Sequence, residues 1–248
     1  MQGDFAQNNT CNADIQAGSN CDISVTFTPT ARGTRSGLVT IADNAVNSPQ
    51  TVSLSGTGTG TIGTTTTLSS SLSPSTYGQA VTLTATVSSA GPTPTGTVTF
   101  KNGSKSIGSA TLSGGVAAIT VSTLPVGTST ITARYGGDSE HAKSTSPPLE
   151  QVVNQATSTT TVASSLNPSK VGQKVTFSAK VNSPTTTPTG TVKFMDGGTE
   201  LGTGILKKGT AKYSTSSLSE GSHNITAVYE GNADISGSTS PVLVQTVN

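Results

Sequence analysis

Residues 62–154 align on residues 156–248 without a gap, at an offset of 94. About 43 of some 93 aligned pairs are identical. A duplication of that length and fidelity means that one structural unit is built twice, so whatever folds the first copy folds the second. Both copies finish on Val-Asn, at Val153-Asn154 and Val247-Asn248, which puts the start of the unit near the Thr-rich run. Three units follow: a first segment at 1–58, one copy at 59–154 and the other at 155–248.

Within a copy, apolar residues alternate with polar ones, the period of a half-buried strand. Val81, Leu83, Ala85 and Val87 correspond to Val175, Phe177, Ala179 and Val181. Val98 and Phe100 correspond to Val192 and Phe194, and Ile131, Ala133 and Tyr135 to Ile225, Ala227 and Tyr229. Between these runs lie Gly78, Asn102-Gly103, Gly114-Gly115 and Gly127, answered by Gly172, Gly197-Gly198, Gly209 and Gly221. Asn-Gly is read as a type I′ hairpin turn, in which both central residues take positive φ. Short alternating strands with turns at regular intervals predict an all-β chain of tandem sandwiches in an elongated array. No stretch carries the apolar spacing of a helix.

Composition supports this and excludes other classes. Charged residues make up 10% of the 248 residues, against roughly 25% in an ordinary soluble domain. The polar surface therefore rests on Thr, Ser, Asn and Gln, and Thr suits a pleated sheet. The net charge of +1 comes from 13 basic and 12 acidic residues scattered singly, so no basic face is expected to bind nucleic acid. No apolar run approaches the about 20 residues of a membrane span, and no membrane insertion is expected. The start, Met1-Gln2-Gly3-Asp4, lacks the basic and apolar regions of a secretory signal. Export would then rest on a signal outside this segment or on an unconventional route.

The first segment reads as three strands, in CDISVTFTP, SGLVTIA and QTVSLSG. Val25, Phe27, Leu38, Val39, Ile41, Val52 and Leu54 offer a thin core, and a module of this size is marginal alone. Cys11 and Cys21 are the only cysteines. Two ligands do not close a zinc site, and a redox pair is normally spaced Cys-x-x-Cys. A short-loop disulfide is the expected reading, stabilising by roughly 2–3 kcal/mol and implying an oxidising compartment. Gly56-Thr57-Gly58-Thr59-Gly60 lacks the Lys and following helix of a phosphate loop and reads as a flexible linker.

A few residues are candidates for chemistry. His141 faces Ile235 in the other copy and His223 faces Ser129, so neither position demands imidazole, and both read as solvated surface histidines. The loops after Tyr135 and Tyr229, Gly137-Asp138-Ser139-Glu140 and Gly231-Asn232-Ala233-Asp234, hold too few acids for the six to eight or so oxygens that calcium takes. They read as plain turns, with calcium the weaker alternative. Asn8, Asn102 and Asn224 fit Asn-x-Ser/Thr, by chance in so Ser/Thr-rich a chain. No nucleophile elbow, zinc-protease helix motif or phosphate loop appears, and no catalytic, cofactor or metal residues are assigned.

The residues Pro-Thr-Gly-Thr-Val-x-Phe (94–100, 188–194), Ala-x-Tyr-x-Gly-Asp/Asn (133–138, 227–232) and Ser-x-Ser-Pro (Ser144–Pro147, Ser238–Pro241) resemble bacterial Ig-like repeat domains. The first segment, with Gly3-Asp4-Phe5, Cys11, Cys21, SVTFTPTARG (24–33) and SPQTVSLSGTG (48–58), resembles the abnormal-spindle/hydin-type, or choice-of-anchor, β-sandwich. That match starts part-way into the family's pattern, so a partial sandwich is expected. Both resemblances imply extracellular, bacterial cell-surface scaffolding without catalysis: a spacer or stalk, roughly 100 Å long at some 35–40 Å per module. The alternative is an adhesive or filament-forming subunit whose incomplete first sandwich is completed by a neighbouring strand. Self-association through that module, or an unidentified surface glycan or protein, would be the partner.

Overall fold

The computed structural model describes residues 4–11, 15–30 and 32–248. Gly3 and Ala31 of the two quoted motifs, and Met1 and Gln2, lie outside the described residues. The described chain is all-β. The first segment holds β1 (Phe5–Asn9), β2 (Ile23–Phe27), β3 (Gly33–Ile41) and β4 (Gln50–Gly58), one strand more than expected. β1 pairs antiparallel with β2, and β3 with β4. The rings of Phe5 and Phe27 lie 4.8 Å apart. Gly37 and Gly56 admit them: a Cβ on either glycine would come within 2.7 Å of a ring carbon. This corrects the reading of Gly56–Gly60 as linker, since Gly56–Gly58 belong to β4 and are paired opposite Arg35–Gly33.

The first copy contains β5 (Thr64–Ser70), β6 (Ser75–Thr76), β7 (Val81–Ser89), β8 (Thr97–Asn102), β9 (Lys105–Thr111), β10 (Val116–Val121), β11 (Gly127–Tyr135), β12 (Ser144–Thr145) and β13 (Leu149–Asn154). One sheet has the order β10-β7-β5, and the other runs β6-β13-β11-β8-β9 with β12 added to β11. The second copy repeats the plan with β14 (Thr159–Ser164), β15 (Val175–Asn182), β16 (Thr191–Asp196), β17 (Thr199–Ile205), β18 (Thr210–Thr215), β19 (Gly221–Gly231), β20 (Ser236–Thr239) and β21 (Leu243–Val247). Its sheets are β14-β15-β18 and β17-β16-β19-β20, with β21 beside β19.

The alternation read from the sequence becomes two inward rows per sandwich. Leu83, Ala85, Val98, Phe100, Ile131, Ala133 and Tyr135 are wholly inaccessible, and so are Phe177, Ala179, Val192, Phe194, Ile225 and Ala227. Each large apolar side chain buried in this way contributes about 1.5–3 kcal/mol. The two copies keep separate cores, one drawn from residues 81–153 and one from 156–247.

The hairpin turns differ from expectation. At Asn102-Gly103 only glycine takes positive φ (56°); Asn102 is the last residue of β8, paired with Lys105. Gly103-Ser104 thus makes a turn with glycine leading, the type II′ pattern. The turn with two positive φ values is Gly114-Gly115, at 59° and 79°. In the second copy its first position is Lys208, at φ 52°, beside Gly209 at 77°. Lysine pays a left-handed penalty there that glycine avoids. Lys208→Gly is therefore expected to stabilise the second copy by up to about 1 kcal/mol, measured by urea unfolding. A loss of stability would show that the lysine is unstrained.

Candidate functional site

The shared motifs are structural fasteners. In Pro-Thr-Gly-Thr-Val-x-Phe, the valine and phenylalanine enter the core, and the Gly96 carbonyl accepts the Leu112 N–H at 2.8 Å. In Ser-x-Ser-Pro, the Ser144 hydroxyl lies 2.7 Å from the hydroxyls of both Thr64 and Thr66, tying the leading strand to the other sheet. The Ser146 hydroxyl accepts the buried Ala133 N–H at 3.0 Å. Ser238, with Ser158 and Thr160, and Ser240, with Ala227, repeat both devices.

Asp138 sits in the loop after Tyr135, the weaker candidate for calcium, and its oxygens are engaged by the chain itself. Oδ1 accepts the N–H groups of Glu140 (2.8 Å) and His141 (2.7 Å). Oδ2 accepts the backbone N–H of Thr95 (2.9 Å) and its hydroxyl (2.7 Å). Though burial works the other way, these hydrogen bonds hold the Asp138 carboxyl far below the ordinary carboxylate range. Asn232 does the same work in the second copy, accepting from Asp234 and Ile235. The loop is a locked turn. Among the described residues no cluster of three metal-ligating acids, histidines or cysteines occurs.

The histidines correct the surface reading. His141 is buried, at 3% exposure. Its Nδ1 faces Asp138 at 2.9 Å and its Nε2 lies 2.9 Å from the Pro92 carbonyl. His223 is mostly buried too, with Nδ1 2.6 Å from Asp196 and Nε2 2.9 Å from the Ser219 carbonyl. Each histidine comes with a carboxylate, and the other copy has lost both members together. Asp138 and His141 become Asn232 and Ile235; Asp196 and His223 become Asn102 and Ser129, joined at 3.0 Å. Aligning the copies column by column carries that signal, because the acid and the base change as a pair.

Gln151 and Gln245 were also missed. Both are wholly buried and stand at the inward position of an alternating strand, between Leu149 and Val153 and between Leu243 and Val247. A polar residue kept there in both copies is a signal that something polar faces it. The Gln151 Oε1 accepts from the Ser70 hydroxyl at 2.6 Å, and its Nε2 donates to the Leu72 carbonyl at 2.8 Å.

Cys11 and Cys21 form a disulfide with Cα atoms 5.0 Å apart, beside β1 and β2. Asp4 accepts from the Thr30 backbone N–H at 2.7 Å and from its hydroxyl, and pairs with Arg35, so its carboxyl is lowered to about 2.

The two copies meet through Tyr77, which packs against both cores. Its carbonyl accepts the Thr185 hydroxyl at 2.5 Å. The Asp234 carboxylate beside the phenol, together with burial, raises the phenol above its ordinary range. Gly78 lies against Thr185 so closely that a Cβ would fall 2.6 Å from its carbonyl oxygen. At the equivalent face of the second copy Val171 stands exposed. Between the first segment and the first copy lies an open cleft of about 860 Å³, lined by Thr30, Arg32, Gly60, Ile62, Pro92 and Glu140 among others. A single arginine and a single glutamate there do not form a catalytic constellation.

The Ser219 carbonyl and then Asp196 raise the His223 pKa above 6.5, against the opposing effect of burial. A raised folded value contributes stability that is complete below the unfolded value and is lost as pH rises through the folded one. The second copy is expected to melt at lower temperature as pH goes from about 5.5 to about 8.5. Asp196→Asn with His223→Ser installs the neutral pair of the first copy and flattens that dependence. An unchanged slope in the double variant would remove the histidine from the explanation.

Comparison with known proteins gives the family. The model of the bacterial Ig-like domain (group 3) matches residues 68–154 and again 159–248. Among solved structures, the Escherichia coli adhesin FdeC is 11% identical, covering 99% of this chain and 97% of its own, with a TM-score of 0.34. The D0-D1 domain of intimin is 18% identical over 74% of this chain and 99% of its own, with a TM-score of 0.30. Fibronectin(III)-like modules of Clostridium thermocellum CbhA are 21% identical over 73% and 92%, with a TM-score of 0.29. No curated protein matches the sequence. With the family model matching both copies over most of the chain, and two-sheet cores built on the residues that it spans, the chain belongs to the bacterial Ig-like domain family, as two tandem domains behind a separate β segment.

Proposed function

We propose that the chain is a non-catalytic extracellular module of a bacterial surface protein, acting as a spacer or stalk. The observation that carries this is the Tyr77 joint. A side chain shared by two cores, with a hydrogen bond from Thr185 at 2.5 Å, resists hinging in a way that a bare linker does not. Family membership and the disulfide, which belongs to an oxidising compartment, support an outside location. The residues that chemistry would need are spent on turns and core fastening. Small-angle scattering of the purified chain tests the reading. The two Ig-like domains are expected to stay end to end as one stiff body, and Tyr77→Ser is expected to broaden the distance distribution without unfolding either domain. A wild-type pair that already samples wide angles would end the spacer reading.

A second reading, adhesion or filament formation through the first segment, is favoured by one observation. Leu38, Val52 and Val25 are 50%, 49% and 40% exposed on a segment whose strands, among the described residues, pair two by two. Open strand edges beside apolar surface accept a partner strand. Size-exclusion chromatography with light scattering is then expected to show concentration-dependent growth that Leu38→Lys with Val52→Lys abolishes. A monomer at every concentration counts against it.

A further inference from the structure

Each Ig-like domain receives the chain at one end and releases it at the other. Thr64 begins β5 opposite Ser89, where β7 finishes, and Ser70 ends it opposite Leu83. The last strand, β13, descends to Val153 opposite Gly127, at the far end. There it runs parallel to β6, with Val153 opposite Ser75 and Asn154 opposite Thr76. Tension on the chain ends draws the leading and final strands along their length in opposite directions. Parallel partners pulled this way load all their hydrogen bonds at once, whereas a strand peeled from one end gives them up in turn.

One buried amide makes three of the bonds between these two segments and a fourth within the final strand. Gln151 accepts from Ser70 (2.6 Å) and donates to the Leu72 carbonyl (2.8 Å), the Ser75 hydroxyl (3.3 Å) and the Val152 carbonyl (3.1 Å). Gln245 has the same four partners in the second domain: Ser164 (2.6 Å), Leu166 (3.0 Å), Ser169 (3.3 Å) and Thr246 (3.1 Å). Around it, the Val152 N–H donates to the Ser73 hydroxyl and the Tyr77 N–H to the Asn154 carbonyl. The Thr246 N–H donates to Asn167 and the Val171 N–H to the Asn248 carbonyl. A strand needs its backbone ladder to fold; an inward side chain that also stitches the leading segment to the final strand does something further. Water does not reach it to exchange these bonds.

We propose that Gln151 and Gln245 lock a shear clamp between the first and last strands, so that each domain bears load along the chain axis. This rests on the spacer reading and deepens it: the spacer is built to be pulled. The test is constant-force unfolding of the whole chain held by its two ends. Gln151→Met keeps the length of the side chain and removes its polar atoms. It is expected to raise the unfolding rate of the first domain by about tenfold at a given force, leaving the second domain unchanged as an internal reference. Gln245→Met is expected to do the converse. A second measurement needs no core substitution. Handles at Ser217→Cys and at the C-terminus, on the same end of the second domain, peel β21 instead of shearing it. That geometry is expected to unfold the domain at least about tenfold faster at equal force. Equal rates in the two geometries would overturn the clamp, as would methionine variants that unfold under axial load at the wild-type rate. A chain that scatters as a stiff rod but shows equal rates in both geometries keeps the spacer and loses the clamp.

Discussion

Each Ig-like domain depends on two inward rows of side chains meeting across a gap that water cannot enter. Phe100 and Tyr135 in one domain, and Phe194 and Tyr229 in the other, occupy the middle of that gap and are essentially inaccessible. Everything else is arranged to protect the contact. The glycine turns reverse the chain where the rows end, and the serine and threonine hydroxyls tie the sheet margins together where apolar contact runs out. With charged residues at 10% of the chain, margin and surface alike are held by neutral hydrogen bonds, which lose little to salt.

Among the described residues the buried polar groups follow one rule with two exceptions, the hydroxyls of Tyr135 and Ser183: each is placed inward with a set of partners. Gln151 and Gln245 have four each, Asp138 is met from two loops, and His141 and His223 each face a carboxylate. Leaving such a group unpaired costs about 1–3 kcal/mol, so the partner must change when the residue does. That is why the two domains differ at these points by pairs: Asp138 with His141 against Asn232 with Ile235, and Asp196 with His223 against Asn102 with Ser129. A tyrosine hydroxyl marks the limit of the rule. Tyr229 donates to the Thr189 carbonyl at 2.9 Å, while the Tyr135 hydroxyl has no partner among the described residues. Burial first, and then the nearby Asp138 carboxylate, push the Tyr135 phenol up to about 12.

The first segment is built on another plan. Its contact is a tilted pair of phenylalanines seated on Gly37 and Gly56, and Leu38 on one face of the β3–β4 pair and Val52 on the other are half in solvent. Few apolar residues are enclosed, so the Cys11–Cys21 bridge and the Asp4–Arg35 pair carry a larger share of its order than any comparable feature does in the domains.

Residue order alone settled the all-β class, the duplication and the inward rows, because alternation has only one meaning once both copies show it. It also marked the glycine turns, though not their type: Asn102 belongs to a strand and the doubly positive turn lies at Gly114-Gly115, a difference set by register between strands far apart in sequence. Folding alone decided what the polar residues do. His141 reads as a surface residue until the Pro92 loop closes over it, and Gln151 meets its partner only when Ser70, some 80 residues earlier, is brought against it. Partners at that separation leave no local pattern, so their pairing exists only once the sheets have met. The joint is of the same kind. Tyr77 holds an ordinary place in the repeat, and only the packing of one domain on the next makes it a shared core residue.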